Sequence, residues 1–304
     1  MNSTLLRTGT LLPKALQAEL DALGASYTRG LCDDPHAQSQ TAWHLFQPGS
    51  TLATVCTILF HGTGNDALFC WENLILDLLK SGRAVFAFDL PGHGQSSTTE
   101  LSASSFARTG MFLPQLLPKL MPALQNVEAV GYSLGAHAAL QWAANGTMPC
   151  ASLILMALPE QVELTTGFIV GEACSFVHKS WWQQLRRYGW DASFPAFGPI
   201  RRTRFPIRMP ADVGLSYPQF VGHLLKTVDV KKALKKLKIP TRLIYGSRDA
   251  LARGSYGQTL SSTSQLIQGA NHFLLPLNPN ARMLIMEWLV TSPQHPAARS
   301  TPRG

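Results

Sequence analysis

The chain of 304 residues has no C-x-x-C pair, no long apolar run, no tandem repeat and few acids. Each shortage removes a class of protein. Its cysteines, Cys32, Cys56, Cys70, Cys150 and Cys174, are odd in number and scattered, so they read as reduced core or boundary residues, not a disulfide frame or a zinc site. No stretch reaches the roughly 18 apolar residues of a membrane span. The first thirty residues break any apolar run with acids and a proline, where a secretory signal needs one uninterrupted, so a cytoplasmic protein is expected. None of the nine histidines stands with carboxylates at metal-ligand spacing, and no metal or other cofactor is expected. "DLPGHG" (89–94) lacks the lysine and the spacing of a phosphate loop. Glycine and proline are spread out, as suits many strand-to-helix turns and not a low-complexity segment.

What the chain does have is a well-supplied core, with 45% hydrophobic residues, and a net charge of +8 that is unevenly placed. From Leu158 to Pro240 thirteen Lys/Arg face six Asp/Glu, so nearly all of the excess lies in that segment. A basic surface raises nucleic acid, anionic membrane and acidic proteins as partners. No nucleic-acid motif accompanies it, and nucleic acid is not expected.

Short apolar runs recur at 54–60 (TVCTILF), 84–90 (AVFAFDL), 126–132 (NVEAVGY), 152–158 (SLILMAL), 241–246 (TRLIYG) and 264–269 (SQLIQG), with a further strand expected at 42–47. Continuous runs of this length suit strands buried on both faces. Helical patterns over 69–82, 107–124, 134–146 and 280–290 alternate with them. The expected fold is therefore α/β, a doubly wound and mostly parallel sheet. Between Leu158 and Pro240 the rhythm breaks into aromatic and arginine clusters such as "KSWWQQLRRYGW" and "FGPIRRTRFPIRMP", too long for a loop inside a compact domain. The expected organisation is an N-terminal extension (1–39), a core (40–158 and 240–292), an inserted and mostly helical cap (159–239) and a disordered tail (293–304).

Chemistry enters at "GYSLG" (131–135), where Ser133 stands between a strand and a helix. Glycines at 131 and 135 permit a sharp turn there. Such a turn exposes the serine oxygen at the carboxyl edge of the sheet and leaves the amide of Leu134 at a helix start, where negative charge is favoured. "HGTG" (61–64) follows an earlier strand and allows the amide of Thr63 to point at the same place as a second oxyanion donor. Asp249 follows the strand "TRLIYG" and His272 follows "SQLIQG". Serine, acid and histidine in this order, each past a strand, suit nucleophilic acyl transfer. Glu160 also follows a strand and stands as the alternative acid.

On "HGTG", "DLPGHGQS" (89–96), "GYSLG", "GSRD" (246–249) and "GANH" (269–272), the chain resembles the α/β-hydrolase superfamily over about residues 40–158 and 240–290. The resemblance implies a serine hydrolase with Ser133, Asp249 and His272 as triad and the amides of Thr63 and Leu134 as oxyanion hole. It does not choose the substrate, because the fold hosts many reactions. The expected substrate is a small carboxylic ester or thioester with an apolar acyl part, since Trp181, Trp182 and neighbouring aromatics offer the cap an apolar underside. Arg201, Arg202 and Arg204, interleaved with Phe205 and Ile207, suit an acidic acyl carrier protein, the phosphates of coenzyme A or an anionic lipid surface. An acyltransferase using the same triad, and a ligand receptor built on a hydrolase frame, are the alternatives. The lysines of "VKKALKKLK" (230–238) read as a solvated helix face, with Val230, Leu234 and Leu237 turned inward.

Overall fold

The computed structural model describes residues 3–5, 12–34, 39–49, 52–63, 66–96, 106–159, 217–226, 228–249, 251–252 and 263–291. The elements in chain order are β1 (Ser3–Leu5), α1 (Lys14–Ala22), β2 (Ser26–Asp34), β3 (Ser39–Gln47), β4 (Val55–Phe60), α2 (Glu72–Lys80), β5 (Ala84–Phe88), α3 (Leu113–Leu120), β6 (Asn126–Tyr132), α4 (Leu134–Asn145), β7 (Ser152–Met156), α5 (Tyr217–Lys226), α6 (Val230–Lys236), β8 (Thr241–Gly246), β9 (Thr263–Ile267) and α7 (Pro279–Thr291).

The strands form one sheet in the order β1-β2-β3-β5-β4-β6-β7-β8-β9. From β5 to β9 every pairing is parallel, whereas β1, β2 and β3 add antiparallel strands at one edge. Every residue of β5 and β7 is buried, because helices cover both faces of a parallel sheet. The doubly wound, mostly parallel α/β sheet expected from the apolar runs is the fold observed.

The sheet extends further toward the N-terminus than residue 40. β2 pairs with β3 along its whole length, Ser26 against Gln47 through Asp34 against Ser39. Its sequence, SYTRGLCDD, mixes Arg29 and two acids into the strand, which hides it from a search for apolar runs. The helical pattern at 107–124 yields only Leu113–Leu120. Pro114 is compatible with a first turn, Pro118 removes an interior donor, and Pro122 lies just past the end.

α4 follows β6 directly and ends on Gly146, whose φ of 63° supplies the left-handed C-cap. It is buried along most of its length and packs against β6, β7 and α6. α6 turns Val230 and Leu234 into the core while Lys231, Lys232, Lys235 and Lys236 stay exposed. Asp229 caps this helix by accepting from the Lys232 amide at 2.9 Å. Most of the expected cap, including Glu160, and the tail at 293–304 lie outside the described residues. Among the described residues no helix is long and apolar enough to cross a membrane.

Candidate active site

Because β4, β6, β8 and β9 run parallel, their carboxyl ends share one edge of the sheet, with Phe60 beside Gly131 and Gly246 beside Ile267. Ser133 sits on that edge at φ 53° and ψ −118°. Among the described residues it is one of two non-glycines with positive φ, the other being Ala157. Such a backbone costs on the order of 1–3 kcal/mol and persists only where the surroundings over-determine it. Here they do. The Ser133 amide donates to the Met156 carbonyl at 2.9 Å, and its carbonyl accepts the Ala136 amide at 2.9 Å as α4 begins. A side chain at Gly135 would collide with the carbonyl oxygens of Phe60 and His61, and one at Gly131 would meet the Gly135 oxygen at 2.6 Å. The two glycines let helix and strand approach closely enough to hold the turn.

Ser133 Oγ lies 2.8 Å from Nε2 of His272, and Nδ1 of that ring lies 2.9 Å from Oδ2 of Asp249. All three residues are buried, Ser133 at 8% exposure. An ionised carboxylate only accepts, so Nδ1 must carry the proton and Nε2 is left to accept from the serine hydroxyl. The other carboxylate oxygen of Asp249 accepts from the amides of Leu251 at 2.9 Å and Ala252 at 2.8 Å. Those backbone donors fix which oxygen faces the imidazole. The arrangement is that of a hydroxyl with a base in reach and an acid orienting the base.

The loop after β4 borders the same place. A Cβ on Gly62 would stand 3.3 Å from the Cβ of Ser133, which puts the turn leading to Thr63 against the serine. Leu134 opens α4, so its amide has no carbonyl one turn earlier to bond. His61 holds the loop: Nε2 accepts from the Leu90 amide at 2.9 Å and Nδ1 donates to the Gly62 carbonyl at 2.8 Å. Burial, and then the neighbouring His93, keep its ring neutral by pushing its pKa well below the usual value. Asp89 ties the same loop to the one after β5, accepting from the amides of Ala67 at 2.8 Å and Gln95 at 2.7 Å. Burial first, then Asp66, raises its carboxyl to about 7. His137, one turn into α4, donates from Nε2 to the Pro159 carbonyl at 3.0 Å, and burial lowers it to about 4.

The structure thus brings Ser133, Asp249 and His272 into one hydrogen-bonded row and sets Thr63 and Leu134 on the two turns beside it. Trp181, Trp182, Arg201, Arg202 and Arg204 lie outside the described residues. Among the described residues no three His, Cys, Asp or Glu side chains converge as metal ligands. Sequence reasoning passed over Tyr132 and Asp89. Their contacts join segments distant in the chain, and the signal for Asp89 is its place in "DLPGHGQS".

Residues 57–284 match the model of the alpha/beta hydrolase family. The chain belongs to that family. No curated protein matches it significantly by sequence. Solved structures similar to this alpha/beta hydrolase include a bacterial membrane phospholipase A described as a virulence factor, 17% identical with a TM-score of 0.62 over 92% of this chain and 91% of that one. Another is a thioesterase domain from the curacin biosynthetic pathway, 19% identical with a TM-score of 0.57 over 88% and 100%. A third is a thermostable carboxyl esterase from Bacillus coagulans, 16% identical with a TM-score of 0.60 over 87% and 97%. At these identities the likeness is one of fold.

Proposed function

We propose that this alpha/beta hydrolase cleaves a carboxylic ester or thioester with an apolar acyl group through an acyl-enzyme on Ser133. The observation that carries the reading is the unbroken row Ser133 Oγ, His272, Asp249 at 2.8 and 2.9 Å, with the serine held at positive φ. Neutral His272 takes the hydroxyl proton as Ser133 Oγ attacks the carbonyl carbon, and Asp249 orients the imidazole and stabilises its charged form. The amides of Thr63 and Leu134 donate to the oxyanion, each lowering the barrier by about 3 kcal/mol. His272 returns the proton to the leaving alcohol or thiol, then activates water to release the acid. The carboxyl esterase and the thioesterase domain of the same fold support this class of chemistry.

The apolar acyl group follows from the aromatic run around Trp181 and Trp182, and a negatively charged carrier or surface from Arg201, Arg202 and Arg204. A screen of p-nitrophenyl esters from acetate to palmitate, beside matching acyl thioesters with and without an alcohol acceptor, tests the reading. We expect turnover to rise with acyl length and the product to be the free acid. Product appearing only as the acceptor's ester would make the enzyme an acyltransferase. No turnover of any member would overturn the proposal.

A further inference from the structure

One side chain touches all three parts of the site. Tyr132, the last residue of β6, is buried at 1% exposure and immediately precedes the strained serine. Its hydroxyl donates to the backbone carbonyl of His272 at 3.0 Å, across 140 positions of chain. Its ring lies under the imidazole, with centroids 5.6 Å apart and planes tilted by 39°. The same ring is the floor on which the loop to Thr63 rests: a Cβ on Gly62 would stand 2.6 Å from Cε1 and 2.7 Å from Cδ1. Trp71 presents an edge to the ring at 6.5 Å.

We propose that Tyr132 is a positioning residue, whose hydroxyl sets the height of the His272 loop over Ser133 and whose ring sets the oxyanion loop. The inference rests on the reading of Ser133 and His272 as nucleophile and base. The logic is geometric. The base enters the site from the loop after β9. The turn after β8 holds that loop, through the Arg248 amide on the Ala270 carbonyl at 2.9 Å and the Gly269 amide on the Ser247 hydroxyl at 2.8 Å, while Tyr132 holds it from the nucleophile's side. β6 leads directly into the nucleophile and, through its last residue, supplies a bond to the backbone of the base. A shift of the His272 backbone away from Ser133 has to break that bond. A base held this way is placed before substrate arrives, and sub-ångström placement is where proximity gains are made or lost.

The test compares wild type, Tyr132→Phe, His272→Ala and the double variant on one p-nitrophenyl ester. The phenylalanine keeps the ring and removes only the hydroxyl. We expect kcat to fall about tenfold, with KM changed less than about twofold, as for an interaction felt at the transition state. In the His272→Ala background the same substitution should cost far less, because no imidazole remains to be placed. The low-field proton resonance of the bond between His272 and Asp249 should also broaden in Tyr132→Phe. An unchanged kcat, or an equal loss in both backgrounds, overturns the proposal. So does a Tyr132→Phe protein that fails to fold, since the hydroxyl would then serve the fold. A His272→Ala enzyme with wild-type turnover would instead remove the triad reading itself, so the two failures are told apart.

Discussion

Replacing Asp249 by Asn separates orientation from charge, and the backbone around it dictates the outcome. Oδ1 accepts two amides, from Leu251 and Ala252, while Oδ2 alone faces His272. An asparagine has one oxygen and one NH2 group. Its oxygen must stay on the two amides, because turning the NH2 toward them would set donor against donor twice. The NH2 then faces Nδ1 of His272 and forces it to accept. The proton moves to Nε2, which no longer takes the proton of Ser133. A reversed tautomer in such a triad costs about 10⁴-fold in kcat, equivalent to about 5.5 kcal/mol of barrier. Folding should hardly change, since both amide bonds survive. Asp249→Ala by contrast deletes those bonds as well, costing about 1–3 kcal/mol of stability. Ester hydrolysis and denaturant unfolding of the two variants together make the assay. An Asp249→Asn enzyme with more than a tenth of wild-type kcat would refute the reasoning.

Two further predictions concern stability. His137 is held at about 4 in the fold by burial against an ordinary 6.5. Its folded value lies below its unfolded one, so the unfolded chain takes up a proton first, and stability is lost as pH falls from 6.5 toward 4, at about 1.4 kcal/mol per pH unit for this group. His137→Gln keeps a donor for the Pro159 carbonyl and should lessen the slope of urea-unfolding stability across that window by this one group's share, the buried His44, His61 and His93 keeping theirs; parallel curves would contradict the assignment. Arg83 pairs with Glu128 at 3.0 Å and donates to the Leu289 carbonyl at 2.7 Å, in a buried setting. Arg83→Met should cost about 3–5 kcal/mol by stranding the carboxylate. Arg282→Met, breaking the half-exposed pair with Asp77, should cost less than about 1 kcal/mol. Equal losses in urea unfolding would sink this distinction.

How far the sequence reaches can be read from single elements. β4 to β8 are legible because strands buried on both faces must be continuously apolar. β2 is not, since an antiparallel strand next to the sheet's edge, paired with the three-residue β1 only at Gly30, Leu31 and Cys32, tolerates Arg29, Asp33 and Asp34. α3 is shorter than its apolar pattern because proline content, not periodicity, sets its ends. Ser133, Asp249 and His272 stand out because each lies in the turn just past a strand, and a parallel sheet carries strand ends to one edge. Tyr132 does not stand out. An aromatic before a serine looks like core, and its bond to residue 272 depends on packing that no local spacing encodes.

The central claim is that Ser133 is an activated nucleophile, and covalent capture tests it most directly. The protein is incubated with a fluorophosphonate and the adduct located by peptide mass spectrometry. We predict one label per chain, on Ser133, absent from Ser133→Ala and slowed at least a thousandfold (~10³) in His272→Ala. Label on another residue, or undiminished labelling of either variant, would contradict the account.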